Sequence, residues 1–179
     1  YYDAKSDLAE AKGDEVGSCR YFEKMDETMD LVIDLQRRLK ERGVDARLVN
    51  FYDQSFDETF DTVLMLMNGT GIIGNLDNIG NFFARLKQIL KPGGCLLIDS
   101  SDLRYLFEEE DGSLMIDLAD DYYGQVDFQM QYKDDIGDPF DWLYLDFNTL
   151  AYYAEENGFK AEVIAEGEYY DYLAKLTVS

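Results

Sequence analysis

At 179 residues, with 46% hydrophobic and 15% aromatic side chains, the chain is long and apolar enough to bury one continuous core, which argues against disorder. Its 38 acidic against 16 basic residues give a formal net charge of −22. A polyanion such as nucleic acid would meet repulsion over most of that surface, whereas neutral, cationic or small ligands would not.

Residues 1–24 read as an N-terminal arm, the first 19 of them without helical or strand period. They lack a basic segment followed by an apolar one, and no apolar run reaches membrane-spanning length, so a cytoplasmic protein without membrane contact is expected. Met25, Met29, Val32, Ile33, Leu35 and Leu39 then follow helical spacing to Arg42. Lys40 and Arg42 suit that helix's negative pole and Gly43 its C′ position. Ala46–Phe51 is a short strand candidate, Asp53–Glu58 a polar turn, and Thr62–Met67 a continuous apolar run of buried-strand type.

After Gly69, Gly71 and Gly74, a helix is expected over Leu76–Leu90, its stripe being Ile79, Phe82, Phe83, Leu86, Ile89 and Leu90. Pro92-Gly93-Gly94 stops it and turns the chain into a strand over Cys95–Asp99. Two apolar runs joined by a helix describe a parallel βαβ unit with a ligand edge at the strand ends. Beyond the acidic loop Glu108–Asp111, Val126, Phe128, Met130 and Tyr132 alternate with Gln125, Asp127, Gln129 and Gln131. This predicts a strand whose partner, Trp142–Leu145, lies across a turn at Asp134–Pro139. A helix over Asp146–Asn157 ends at Gly158, and strands over Lys160–Glu166 and Tyr170–Thr177 form an antiparallel pair.

Histidine is absent, which removes imidazole bases, Ser–His pairs and His–metal ligation together. Cys19 and Cys95 lack metal-ligand spacing and read as free thiols, so no metal site is expected.

Five segments carry a resemblance: Leu66–Gly69 (Leu-Met-Asn-Gly), Asp99–Asp102 (Asp-Ser-Ser-Asp), Tyr122–Gly124 (Tyr-Tyr-Gly), Pro139–Leu143 (Pro-Phe-Asp-Trp-Leu) and Glu166–Leu173. With the helix–strand alternation, the Lys91–Gly94 turn and the terminal strand pair, this ordered set resembles the class I S-adenosylmethionine (SAM)-dependent methyltransferases. It is most similar to a bacterial group of uncharacterised substrate. The likeness runs from about Gly43 to Leu176, and Cys19–Glu27 resembles the group's entry segment. It implies an α/β, Rossmann-like sheet, mostly parallel, with a terminal antiparallel pair and a β-hairpin or lid inserted at about 112–145, in one domain over 1–179. It also implies SAM as cofactor and direct SN2 methyl transfer to a small or cationic acceptor, a displacement that needs positioning and desolvation more than an acid or base.

The family places a strand ending in Asp-x-Gly-x-Gly before its first crossover helix. The only candidate here, Glu15–Cys19, lacks the final glycine, and the residues before it do not suit a buried strand. The helix from Met25 to Arg42 resembles a splice of two family helices, with no counterpart for the roughly 40 to 50 residues of one βαβ unit between them. Either the chain carries a deletion or the natural protein has a segment absent from this sequence. Loss of two central strands would leave Ala46–Phe51 without neighbours and open the core.

The resemblance puts Asn50 and Phe51 beside adenine, and Asn68 and Gly69 beside the methyl-transfer position. A strand-end turn with a core phenylalanine equally fits the first pair, and a positive-φ turn fits the second. Asp99, Asp102, Tyr122, Tyr123, Trp142 and Tyr170 are the acceptor-binding candidates. Asp102 equally fits a helix N-cap, and Trp142, with Phe140, fits packing of the hairpin. Asp99, Asp102 or Tyr170 are candidates to assist deprotonation, and nothing in the sequence singles one out as catalytic. At Tyr169 the family commonly has histidine. The competing reading is a non-catalytic, methyltransferase-like interaction domain; a homo-oligomer or a complementing second chain are the protein partners considered.

Overall fold

A computed structural model gives the fold and describes residues 33–47, 49–109, 111–116, 121–132 and 135–179. The chain divides into one unit up to Asn50 and a second over Phe51–Ser179. In the first unit, helix α1 covers residues 33–41. It stops as its sequence predicts: Gly43 has φ 79°, Gly43 N donates to Lys40 O at 2.9 Å and Val44 N to Leu39 O at 3.0 Å. This is the paired closure that a left-handed glycine allows. The arm 1–24, and the helix start expected at Met25, lie outside the described residues.

The strand expected at Ala46–Phe51 does not form. Residues 46, 47, 49 and 50 are irregular, and Phe51 begins a turn. A strand exists only where a neighbour takes its backbone groups. Here Ala46 O accepts from the Gln36 side chain at 2.9 Å, and Phe51 O accepts from Arg85 Nε at 2.8 Å.

The second unit begins with β1 (Phe60–Met65) and passes through 3₁₀ turns at Gly69–Ile73 and Leu76–Asn78 into α2 (Ile79–Ile89) and β2 (Leu90–Ser101). There follow a hairpin, β3 (Gln125–Tyr132) and β4 (Asp135–Leu143), then α3 (Phe147–Glu156), β5 (Phe159–Glu166) and β6 (Asp171–Val178). The sheet order is β1-β2-β6-β5. β1 and β2 are parallel, with Val63 opposite Leu96 and Met65 opposite Ile98. β6 is antiparallel to both its neighbours. The expected parallel unit and terminal antiparallel pair are thus both present. Phe60 lies opposite Leu90 but Thr62 opposite Cys95, so Lys91–Gly94 bulge out of the ladder. A Cβ on Gly94 would come within 3.0 Å of Asp61 O, which explains the small residue there.

The stripe Phe82, Phe83, Leu86 and Ile89 of α2, with Leu150 and Ala154 of α3, forms the core with Leu96, Ile98, Ala174 and Leu176 of the sheet. No described helix is long and apolar enough to cross a membrane. Two expectations shift. β4 starts at Asp135, inside the segment expected to turn. β1, read as a buried strand, is a sheet edge that pairs among the described residues with β2 alone. Val63 and Met65 pack on the core, but Leu64 on the opposite face is 60% exposed. The apolar run itself suits burial on both faces; its surroundings supply burial on one.

Candidate functional site

At the carboxyl end of β1 the chain takes two successive left-handed residues, Met67 (φ 70°) and Asn68 (φ 58°). Asp99, near the end of the neighbouring strand, receives the turn: Met67 N donates to Asp99 Oδ2 at 3.1 Å and Gly69 N to Asp99 Oδ1 at 3.0 Å. Ser101 Oγ donates to Asn68 Oδ1 at 3.0 Å. A Cβ on Gly69 would sit 2.8 Å from Met65 Cβ, so its small size serves packing against its own strand. Between this turn, Asp99–Ser101 and the β5–β6 connection (Glu166, Gly167, Asp171) opens a cavity of about 560 Å³.

A second cavity, of about 510 Å³, shares Glu166, Gly167, Asp171 and Tyr172 with the first and adds Asp102, Arg104, Asp146, Glu168 and Tyr170. Asp102 is buried. Its Oδ2 pairs with Arg104 Nε at 2.7 Å, and its Oδ1 accepts from Arg104 N at 2.9 Å and from the Tyr123 hydroxyl at 2.8 Å. Tyr170 has a left-handed backbone (φ 62°), its carbonyl accepts from Asp102 N at 2.9 Å, and its ring stacks on Tyr105 with centroids 5.5 Å apart.

Asp146 caps α3 by accepting from Thr149 N at 3.0 Å, and its Oδ2 accepts from Tyr122 at 2.7 Å. Burial pushes the phenols of Tyr122, Tyr123 and Tyr172 above the usual tyrosine range, and the carboxylates nearby add to this. All three act as hydrogen-bond donors and none as a base. For Asp146, burial pushes the carboxyl up, but the hydrogen bonds from Thr149, Tyr122 and Asn148 together outweigh it and hold it below the ordinary carboxylate range. Its contribution to stability is therefore complete above the unfolded-state value of about 3.9 and is lost as the pH falls through the lower folded value. The stability gap between wild type and Asp146→Asn, followed by urea unfolding, should be widest near neutral pH and close in acid. A gap that widened in acid would contradict the assignment.

Below these cavities the rim is tied together by a buried chain of hydroxyls. Leu145 N donates to Ser100 Oγ at 2.9 Å, Thr70 Oγ1 donates to Leu143 O at 2.8 Å, and the two hydroxyls are 2.7 Å apart. Each hydroxyl has one proton, so Ser100 must donate to Thr70. The Tyr172 hydroxyl donates to Leu145 O at 2.8 Å. This chain fixes the ends of β2 and β4, the turn after β1 and the start of β6 to one another.

Of the residues expected at the site, Asn68 and Asp99 line the first cavity, Asp102 and Tyr170 line the second, and Tyr123 reaches it through Asp102. Phe51 packs instead on the core, its ring 5.6 Å from Phe82. Asn50 belongs to the first unit. Tyr122 lines a separate cavity with Asn75, Gln125 and Tyr153. Trp142 covers Gly71, as the packing reading of the hairpin allows. Asp146, Glu166, Asp171, Ser100 and Thr70 join the site without having been named from sequence. Asp146 carried a signal: an Asp three residues before Thr149, at the head of an apolar helical pattern, is an N-cap.

Among solved structures the chain is similar to a SAM-dependent methyltransferase from Bacteroides fragilis in complex with S-adenosyl-L-homocysteine (SAH). They share 64% identity at a TM-score of 0.71, over 79% of this chain and 57% of that one. The chain belongs to the class I SAM-dependent methyltransferase family. This methyltransferase-family chain thus spans 57% of the length of that relative. It also resembles a SAM-dependent methyltransferase from Clostridium acetobutylicum ATCC 824 (11% identity, TM-score 0.55, 84% of this chain and 72% of that one). A Pyrococcus horikoshii OT3 protein is similar as well (14%, TM-score 0.53, 84% and 70%). Those two likenesses are of fold alone. No family model and no curated protein matches the chain.

Proposed function

We propose that this protein is a SAM-dependent methyltransferase that transfers the methyl group directly to a small or cationic acceptor. The observation that carries the reading is the 64% identity to the Bacteroides fragilis enzyme bound to SAH, the demethylated form of SAM. The rim fits such a ligand. Its cavity of about 560 Å³ is within the usual range for small-molecule sites. Asn68 gives its oxygen to Ser101, which leaves its amide N–H groups to donate. When bound, SAM supplies a methyl group on a positively charged sulfur: the acceptor's lone pair forms the new bond to carbon as the carbon–sulfur bond breaks toward sulfur, and the acceptor releases its proton.

This chain's residues then bind and orient. Asn68 and the Met67–Gly69 turn would face the cofactor, while Asp102 and Tyr170 would face the acceptor. The second cavity is lined by five carboxylates (Asp102, Asp146, Glu166, Glu168 and Asp171) against the single guanidinium of Arg104. That balance favours a cationic acceptor over an anionic one.

The second reading, a non-catalytic methyltransferase-like interaction domain, draws on the lack of an Asp-x-Gly-x-Gly segment in the sequence. Titration calorimetry with SAH decides between them. Micromolar binding is expected, and absence of heat at millimolar ligand would overturn the enzyme reading.

A further inference from the structure

The geometry points to Asp99 as a positioning residue: it holds the Met67–Gly69 turn in its left-handed form and so shapes the cofactor wall of the rim. This rests on the cofactor reading above. Two consecutive non-glycine residues at positive φ form an unfavourable segment, and methionine, unlike asparagine, has no short polar side chain to ease it. Met67 is 87% exposed, so packing of its side chain does little to hold the turn. What opposes relaxation is the convergence of two backbone N–H groups, from Met67 and Gly69, on the two oxygens of one carboxylate at 3.1 and 3.0 Å. Successive N–H groups in such a turn form a concave anion cradle, and Asp99 fills it from within the chain. Asp99 is half-buried and borders the cavity. With both oxygens engaged it acts through the turn rather than on the acceptor. Asn68, at the centre of the turn, is thereby presented to the cavity.

The test compares the full chain with Asp99→Asn, which keeps the shape but turns one acceptor into a donor facing an N–H. Hydrogen exchange at Met67 and Gly69, read by NMR, should quicken by about 10- to 100-fold, the equivalent of losing a charge-assisted hydrogen bond. SAH affinity should fall by about tenfold or more by calorimetry. Adding Met67→Gly to Asp99→Asn should recover most of that affinity, because glycine adopts positive φ without support. A residue of merely structural importance would not be rescued in this way.

Unchanged exchange at both amides would overturn the clamp. Faster exchange with unaltered SAH affinity would overturn its role in shaping the site. A wild-type protein that fails to bind SAH would instead overturn the cofactor reading, while the exchange rates still decide the clamp. If Asp99→Asn does not fold, Asp99→Glu, which displaces the carboxylate by one methylene, carries the same two measurements.

Discussion

Gly71→Ala is expected to unseat the β3–β4 hairpin and to destabilise the protein by about 3 kcal/mol or more, at the upper end of the range for overpacking. The added Cβ would lie 1.9 Å from Trp142 Cε2 and 2.4 Å from Cδ2 and Cζ2. The indole has little freedom to move aside. Trp142 is paired across the hairpin with Val126, and its neighbour Leu143 is buried and receives the Thr70 hydroxyl through its carbonyl. The 3₁₀ turn is fixed as well, because Gly71 N donates to Asn68 O at 2.9 Å. Trp142 is the only tryptophan, so its fluorescence reports this contact directly. Emission should shift to the red in buffer, and the urea midpoint should fall. Combining Gly71→Ala with Trp142→Ala should cost less than the sum of the two single changes. A variant with native emission and native midpoint would show that the seat is not as tight as the geometry requires.

Phe83→Ala is expected to cost about 3–5 kcal/mol, the range for emptying a buried aromatic site. Phe83 is fully buried. Its ring lies 5.3 Å from Phe82 in an edge contact and 5.3 Å from Phe159 at the start of β5, so it couples the crossover helix to the far edge of the sheet. Against a total stability of roughly 5–15 kcal/mol such a loss is a large share. The exposed Tyr152→Ala on α3 serves as the control and should stay within about 0.5 kcal/mol. Urea unfolding with an unchanged denaturant slope measures both. A Phe83→Ala loss below about 1 kcal/mol would mean that the core closes around the gap or that the α2 stripe is not its centre.

Sequence by itself determined the local elements whose partners lie within a turn or two along the chain. The apolar spacing of α2, the Gly43 closure of α1, the Asp146–Glu156 segment and the strands on either side of Gly167 are written in periodicity and turn chemistry, which act over three to eight residues. The pairing of the β1 and β2 ends, which brings Asn68 and Asp99 to one rim, also followed, because a helix crossover between two strands admits a parallel arrangement. Only the tertiary structure decided that Ala46–Phe51 stays irregular, that β1 is an edge with Leu64 exposed, and that Phe51 belongs to the core. It alone decided that the Asp99 carboxylate faces the Met67–Gly69 turn, and that Thr70, Ser100 and Leu145 share a buried hydroxyl chain. Each depends on which backbone and side-chain groups meet across 30 to 73 residues of chain. The energy of a strand edge, a buried hydroxyl or a bound carboxylate is set by the partner it meets there.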